Sequence, residues 1–241
     1  VPKPQITMMP NQPAGDEMKV TAAHFSVDEQ YVKLSVPKPL KTISSAVHNA
    51  GLGWYDTFLN RAVSLDYAIE DVYEETAQFL QAHQFGLTNT VVMLTAVAPE
   101  QVVMNTFSQA GIEVLVAVTA GVGNAVDVSK SYLRDDRPYI GTINTWVIIN
   151  GRLTDEAFYQ AMMTVTEAKA KAMADAQVMD QLSNTIATGT GTDSLLVAAT
   201  QTGQQFQYAG TITQLGSLIG RGVYEVTLQA IQNYQNTNRK G

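Results

Sequence analysis

Cysteine is missing from the 241 residues, and histidine occurs only three times. Without thiols the chain can form no disulfide, no thiolate metal site, no iron–sulfur cluster and no cysteine nucleophile. The histidines are dispersed and no HExxH spacing occurs, so we expect no metal site and no resident cofactor. A chain without cysteine fits the reducing cytoplasm, which is the location we expect.

Charge is also sparse, because Asp, Glu, Lys and Arg together make up 15% of the residues. The 15 basic and 22 acidic residues give a formal net charge of −7, and they form no basic cluster. Nucleic-acid backbones are bound by such clusters, so we expect no nucleic-acid partner. The longest apolar runs, 91–94 and 114–118, are far too short to cross a bilayer, so we expect no membrane span.

The remaining composition, 45% hydrophobic, is that of a globular protein with a substantial core. Four prolines within residues 1–17 predict an extended lead-in. Residues 18–241 show neither an internal repeat nor a linker, so we expect them to form one domain. The sequence leaves the oligomeric state open, and a homo-oligomer is one of the options.

Hydrophobic periodicity predicts the order of the elements. Strands are expected at 18–25, 31–36, 42–47, 90–97, 112–118, 139–149 and 194–199, and helices at 67–82, 99–110, 154–178 and 213–234. The first two strands are expected to form a hairpin, and residues 90–118 a β-α-β unit. The predicted fold class is therefore α/β (α+β), a single domain whose mixed β-sheet is covered by helices.

Four loops that adjoin predicted strands combine glycine with hydroxyl or amide side chains. Glycine lets a backbone approach a ligand and present its N–H groups, while Thr and Asn add neutral donors and acceptors. Such loops suit an amide-rich ligand or an oxyanion. Ordinary turn chemistry is the alternative, and both interpretations stay open. The loops cover residues 48–53, 119–124, 141–145 and 188–193.

Two charged residues are candidates for chemistry near these loops. Asp193 ends the fourth loop, where it could act as a general base, orient a hydroxyl, or bond its own backbone in a turn. Lys169 falls in the middle of the apolar arc of the predicted helix 154–178, where a charge is costly unless it is paired or used. It could hold a carboxylate such as Asp193 or stabilise an oxyanion, or its stem could pack while its amine reaches water. His48 is the one histidine beside a loop of this kind.

Several short motifs occur in one order along the chain. They are TISSAVHNAGLG, LTAV, VTAGVGNA, GTINT, LTDEAF, TEAKAKAMAD, ATGTGTDSLLVA and AGTITQLGSLIGRGVYEV. Together they resemble the adenosylcobinamide amidohydrolase family, the corrinoid-salvaging enzymes of archaea and some bacteria. The resemblance runs from about residue 42 to residue 231, and the combination of GTINT, TEAKA and TGTGTD is its most specific part. One departure is Ala50, where the family pattern Asn-Gly-Gly would have glycine.

The resemblance implies a hydrolase. The family cleaves the amide that links aminopropanol to the propionate side chain of the corrin ring, which gives adenosylcobyric acid and 1-aminopropan-2-ol. A corrinoid is then the small-molecule partner, and cobalt enters only as part of that substrate. Two other interpretations stay open, namely a corrinoid-binding protein without catalysis and an amidohydrolase that acts on another bulky amide.

Amide hydrolysis needs an activated nucleophile, an oxyanion stabiliser and a proton donor for the leaving amine. We assign Asp193 as the base, acting either on water or on a Thr190 or Thr192 nucleophile. Lys169 would stabilise the oxyanion or protonate the amine. The residues expected to bind the substrate are Asn49, Gly51, Asn124, Thr142, Asn144 and Thr188, and those expected to pack on a ring face are Trp54, Tyr55 or Trp146.

Overall fold

The structure, a computed structural model, describes residues 18–64, 67, 70–134 and 141–238. The lead-in predicted at 1–17 lies outside these residues. The strands are β1 (Phe25–Val27), β2 (Tyr31–Ser44), β3 (Gly51–Ala62), β4 (Thr90–Thr95), β5 (Val103–Gln109), β6 (Ile112–Ala120), β7 (Ala125–Val126), β8 (Ile143–Ile149), β9 (Arg152–Leu153), β10 (Met179–Asp180), β11 (Thr185–Ile186), β12 (Gly189–Thr190), β13 (Ser194–Ala199) and β14 (Gln205–Phe206). The helices are α1 (Val72–Ala82), α2 (Asp155–Asp175) and α3 (Gln214–Asn238), with 3₁₀ turns at Ala22–His24, Pro99–Gln101 and Val128–Leu133.

Eight strands form one sheet in the order β4-β3-β2-β13-β8-β6-β5, with β1 paired to β2. The pairs β3–β4 and β8–β13 are parallel and the other pairs are antiparallel, so the sheet is mixed. The predicted α+β class with a mixed sheet is confirmed. Short ribbons formed by β7–β12, β9–β14 and β10–β11 lie outside this sheet.

The sheet curls far enough for β4, at one end, to meet β8 near the middle. Asn144 Nδ2 on β8 donates to Leu94 O at 2.8 Å, and Trp146 Nε1 donates to Met93 Sδ at 3.1 Å. The concave face therefore encloses an apolar core of its own. Its members include Leu34, Phe58, Leu115, Trp146 and Leu196.

Helices α2 and α3 cover the convex face and bury the larger core. Thr154 caps α2 by accepting the N–H of Ala157 at 3.3 Å, and two acidic residues in the first turn face the positive end of the helix dipole. The helix predicted at 154–178 is thus confirmed. Helix α3 can lie close to β5 because Gly222 has no Cβ, which would come within 2.8 Å of the Phe107 ring. None of the described helices is long and apolar enough to cross a membrane.

The helix predicted at 99–110 is wrong. Pro99–Gln101 form a single 3₁₀ turn, and β5 then pairs antiparallel with β6. Ala110 and Gly111 make the connection with positive φ angles of 50° and 80°, the geometry of a tight hairpin turn. The predicted β-α-β unit is therefore a strand followed by a hairpin, because pairing with β6 outweighs the local helical pattern.

Several other elements begin or end at different residues from those predicted. The hairpin at 18–25 and 31–36 exists, but its first strand is β1, and the strands at 31–36 and 42–47 join into β2 through an irregularity between Ser35 and Leu40. Strand β3 lies in a stretch where the sequence pattern predicted no strand. The helix predicted at 67–82 begins only at Val72, behind the capping side chain of Asp71, and the strand predicted at 139–149 begins at Ile143, with 139–140 outside the described residues.

Phe158 anchors α2 to the sheet, and its neighbour Tyr159 offers a matched control. Phe158 is 0% exposed, whereas Tyr159 is 59% exposed. We expect Phe158→Ala to lower the free energy of unfolding by about 3–5 kcal/mol, because truncation leaves a cavity in the core. Tyr159→Ala should change it by no more than about 0.5 kcal/mol. Denaturant unfolding measures both variants, and similar losses in the two would contradict the placement of this helix.

Candidate active site

Three of the four glycine-rich loops meet at one end of the sheet. Strands β8 and β13 run parallel and start side by side, with Ser194 opposite Asn144, so the loops that precede them are neighbours. Ribbon β7–β12 then ties Gly189 and Thr190 to the segment that follows the 119–124 loop. The fold therefore assembles residues that are more than 60 positions apart into one polar cluster.

The carboxylate of Asp193 lies at the centre of this cluster and accepts four hydrogen bonds. Its Oδ1 accepts from Thr190 Oγ1 at 2.6 Å and from the N–H of Ile143 at 3.0 Å. Its Oδ2 accepts from the N–H of Thr190 at 3.1 Å and from Lys169 Nζ. The predicted pairing of Lys169 with Asp193 is present, and the helix, the loop and the sheet all contribute a donor.

The Lys169–Asp193 ion pair is largely shielded from water. Each of the two side chains is 16% exposed, so their attraction is screened less than that of a surface pair. Gly189 makes room for the pair, because a Cβ there would touch Asp193 Oδ2 and would lie 2.7 Å from Lys169 Nζ. Any larger residue at this position would push the two charges apart.

The other threonines of the cluster hold the loops together. Thr192 Oγ1 donates to Gly141 O at 2.8 Å, and Thr142 Oγ1 donates to Thr192 O at 2.8 Å. Thr192 is exposed and its hydroxyl donates to Gly141 O, whereas the hydroxyl of Thr190 donates to the Asp193 carboxylate. Asn124 lies beside these loops, since a Cβ at Gly141 would come 2.9 Å from its Cγ.

Asn144 faces the interior of the curled sheet. It is 1% exposed, and its Nδ2 donates to Asn60 Oδ1 at 2.6 Å as well as to Leu94 O. Asn60 Nδ2 in turn donates to Thr119 Oγ1 at 2.8 Å. This buried chain of polar groups joins β3, β4, β6 and β8, and Asn144 Oδ1 also accepts from Thr142 Oγ1 at 3.1 Å, which links the chain to the cluster.

Other residues selected from the sequence lie away from the cluster. Asn49 Nδ2 donates to Leu87 O at 2.8 Å and Thr90 O at 2.7 Å, and His48 Nε2 donates to Leu87 O at 2.8 Å, so the loop with Gly51 shapes the β2–β3 turn. Thr188, by contrast, stays with the cluster: its N–H donates to Val126 O at 2.9 Å beside the β7–β12 ribbon, and it lines the groove that contains Asp193.

The aromatic residues expected on a ring face also lie elsewhere. Trp146 is 2% exposed and offers no face to a ligand. Trp54 is 56% exposed, yet neither it nor Tyr55 is among the described residues that line the groove beside Asp193.

An open groove of 870 Å³ runs along α2 beside Asp193, Lys169 and Thr190. Its walls include Val128 and Met163, whose side chains are 69% and 63% exposed. Large apolar side chains left in water around a concave surface are typical of a ligand site. The groove thus combines apolar walls with one charged and hydrogen-bonded floor.

A second network, missed in the sequence, supports the β7 side of the cluster. Asp180 Oδ2 accepts from the N–H of Asp127 at 3.0 Å, and its Oδ1 accepts from Arg134 Nη2 at 2.6 Å. Burial alone would raise the pKa of Asp180, but the N–H groups of Asp127 and Leu182 donate to the carboxylate and bring its pKa down to about 2. A hydrogen bond from Thr185 lowers the pKa of Asp127 as well. No local motif reveals this network, because 53 residues separate the two carboxylates.

Comparison with known proteins identifies the family. The family model for adenosylcobinamide amidohydrolase matches residues 15–239. The chain belongs to the adenosylcobinamide amidohydrolase family. A family member named adenosylcobinamide amidohydrolase, from Methanosarcina mazei, is 31% identical over 155 residues, which cover 59% of this chain and 67% of that protein.

Two further relatives match over less than half of their own length. An uncharacterised ABC transporter ATP-binding protein of Bacillus subtilis, YvrA, is 24% identical over 236 residues, which are 97% of this chain and 44% of that protein. An uncharacterised protein of Methanocaldococcus jannaschii is 36% identical over 93 residues, 38% of this chain and 36% of its own length. The chain therefore spans less than half the length of YvrA, and the match to the second protein is confined to about a third of each sequence.

Similarity to solved structures is distant. A β-aminopeptidase of a Burkholderia species superposes with a TM-score of 0.44 at 11% identity, over 86% of this chain and 79% of that one. A protein of Pyrococcus horikoshii gives a TM-score of 0.43 at 9% identity, over 91% of this chain and 81% of that one. Neither likeness bears on function. Among the described residues, no three His, Asp or Glu side chains are grouped to hold a metal ion.

The low pKa of Asp180 predicts how stability changes with pH. A carboxyl whose pKa is lowered on folding stabilises the protein above its unfolded-state pKa of about 3.9, and this contribution disappears as the pH falls toward the folded value of about 2. We expect Asp180→Asn to melt at a lower temperature than wild type at pH 7. The gap should narrow between about pH 4 and pH 2. Thermal melts across this pH range measure the difference in melting temperature between wild type and Asp180→Asn. A difference that stays constant with pH would contradict the lowered pKa of Asp180.

Proposed function

We propose that this chain hydrolyses the aminopropanol amide of adenosylcobinamide, giving adenosylcobyric acid and 1-aminopropan-2-ol. The observation that carries the proposal is the linked set of Thr190, Asp193 and Lys169 on the floor of a groove with apolar walls. Membership of the amidohydrolase family supports the same reaction class. Cobalt takes part only as a component of the corrinoid substrate.

The groove suits a corrinoid in size and polarity. Pockets for drug-sized ligands measure about 300–1,000 Å³, and the groove has 870 Å³ and is open to solvent. A corrin ring has broad apolar faces and an amide-bearing rim. In our proposal one face packs on Val128, Met162 and Met163, while the rim meets the polar residues of the floor.

In the proposed first step, Thr190 Oγ attacks the carbonyl carbon of the substrate amide. Its proton passes to Asp193 Oδ1, which already accepts this hydrogen bond at 2.6 Å. A tetrahedral intermediate forms and then collapses as the carbon–nitrogen bond breaks. The products of this step are an ester between Thr190 and the corrinoid acyl group, and the free amine.

Lys169 supplies the proton that the leaving amine needs. Its Nζ contacts Asp193 Oδ2, so the carboxylate links the nucleophile on one oxygen to the proton donor on the other. As Lys169 gives a proton to the amine, Asp193 can pass the proton taken from Thr190 to Lys169. Little net charge then develops in a site that is mostly shielded from water.

The second step returns the enzyme to its starting state. Water attacks the ester carbonyl and gives a proton to Asp193, which passes it to Thr190 Oγ as the ester bond breaks, so Thr190 leaves as a hydroxyl and Asp193 is ionised again. The sum of the two steps consumes one amide and one water and yields one carboxylic acid and one amine. Thr142 and Thr192 keep the loops around Gly141 in place throughout, as positioning residues.

Product analysis tests the proposed reaction. Pure protein is incubated with adenosylcobinamide, and the mixture is separated by chromatography with mass detection. We expect adenosylcobyric acid and aminopropanol in equal amounts. Intact cobinamide in the presence of folded protein would contradict the proposal, and a corrinoid titration would then separate a non-catalytic binder from an amidohydrolase with another bulky substrate.

A pair of threonine variants tests the assignment of the nucleophile. We expect Thr190→Val to lower kcat by at least about 1,000-fold, because the attacking hydroxyl is removed while the side-chain volume is kept. Thr192→Val, two residues away and exposed, removes only a hydrogen bond to Gly141 O, so it should lower kcat by no more than roughly tenfold. Steady-state rates of cobinamide hydrolysis measure both. Equal effects, or a larger loss for Thr192→Val, would show that the nucleophile lies elsewhere.

Asp193→Asn tests the link between Thr190 and Lys169. An amide cannot take up the hydroxyl proton, so we expect turnover to fall by about 100- to 10,000-fold while corrinoid binding stays detectable. The double variant Asp193→Asn/Lys169→Met controls for the unpaired charge that the single change leaves behind. Absorbance titration with cobinamide measures binding. Full activity of a folded Asp193→Asn variant would remove Asp193 from the mechanism.

A further inference from the structure

A smaller pocket adjoins the Lys169–Asp193 pair, in addition to the groove. It measures 210 Å³ and lies between α2 and the adjacent ends of β8 and β13. Lys169 and Asp193 line both cavities, as do Met162 and Thr166, so the ion pair forms the charged part of the boundary between them. No group of the substrate has been assigned to this smaller pocket so far.

Thr145 lines the pocket and has a buried hydroxyl without a partner among the described residues. The residue is 2% exposed, and its Oγ1 has no hydrogen-bond partner within the described part of the chain. Leaving a buried hydroxyl unpaired costs about 1–3 kcal/mol. Its neighbours on the same face of β8, Ile143 and Val147, are fully buried and apolar, so packing alone does not require a hydroxyl here. A ligand in the pocket could satisfy it after one side-chain rotation.

Two serines add further hydroxyl groups to the same pocket. Ser45 Oγ accepts the N–H of Leu195 at 3.0 Å and lies 3.3 Å from Ser194 Oγ. Ser194 Oγ donates to Ser45 O at 3.1 Å, so Ser45 Oγ is the donor in the 3.3 Å pair, and its second lone pair can still accept a hydrogen bond from a ligand. The pocket thus offers hydroxyl partners at Thr145 and Ser45, and a charged pair at its boundary with the groove.

We infer that this pocket receives the leaving group of the amide, a short amino alcohol, and that Thr145 and Ser45 recognise its hydroxyl. The inference rests on the proposed function and deepens it. At 210 Å³ the pocket is below the range of about 300–1,000 Å³ that holds drug-sized ligands, so it excludes a corrin ring and admits a small group. The amide itself then lies at Thr190, Asp193 and Lys169, with the ring in the groove on the other side.

Discrimination between two leaving groups tests the inference. The substrates are adenosylcobinamide and the corresponding propylamide of adenosylcobyric acid, which lacks only the hydroxyl. We expect wild type to prefer the hydroxyl-bearing amide in kcat/KM by roughly tenfold, the factor for one buried hydrogen bond. Thr145→Val, which keeps the shape of the side chain, should bring this preference close to one. Ser45→Ala, at an exposed position, should lower the preference as well.

Thr227→Val is the matched control. Thr227 is also fully buried with an unpartnered Oγ1 among the described residues, but it lies on α3 and lines neither cavity. This variant should keep the wild-type preference. An active Thr145→Val enzyme with an unchanged preference would overturn the inference and leave the proposed reaction intact.

A binding measurement separates the pocket from the reaction. Ligand-observed NMR compares the binding of 1-aminopropan-2-ol and of propylamine to wild type and to Thr145→Val. Stronger binding of the amino alcohol that is lost in the variant supports the pocket even if cobinamide is not hydrolysed. If wild type neither hydrolyses cobinamide nor binds the amino alcohol, both the proposed function and the inference fail.

Discussion

The carboxylate of Asp193 is the group on which the site depends. It accepts hydrogen bonds from a helix side chain (Lys169), from a loop (Thr190) and from the backbone at the start of a central strand (Ile143). Each donor belongs to a different element, so the carboxylate has a fixed place only when the helix, the loop and the sheet are all assembled. The parallel pairing of β8 and β13 and the absence of a side chain at Gly189 make this arrangement possible.

Two cavities of different size and polarity adjoin that carboxylate. A large open groove with apolar walls lies on one side of the Lys169–Asp193 pair, and a small pocket with hydroxyl groups lies on the other. An amide whose two substituents differ greatly in size would place its reacting carbon between them. Behind the β7–β12 ribbon, the carboxylates of Asp180 and Asp127 accept hydrogen bonds from the backbone and from neighbouring side chains. These bonds support β7, which pairs with the Thr190 strand.

Sequence reasoning predicted the parts of the site that depend on local patterns. The capped amphipathic helix showed that Lys169 lies on a buried face, and the Gly/Thr loop before an apolar strand directed attention to Asp193. The structure brings these two together. Where tertiary contacts decide, the prediction was wrong or incomplete. Residues 99–110 form a hairpin with β6 in place of a helix, and Asn144 turns inward because the curled sheet brings β3 and β4 to it. Thr145 likewise could not be selected from the sequence, because the cavity that it lines is formed by residues far apart along the chain.

The central claim is that Asp193 activates Thr190 to form an ester with the corrinoid acyl group. The most direct test is the intact mass of the enzyme, quenched with acid at short times after mixing with adenosylcobinamide, followed by peptide mapping. The account predicts a transient mass gain equal to that of the adenosylcobyryl group, located on the peptide that contains Thr190. An adduct on another residue, or an enzyme that stays unmodified at every quench time while product accumulates, would contradict it.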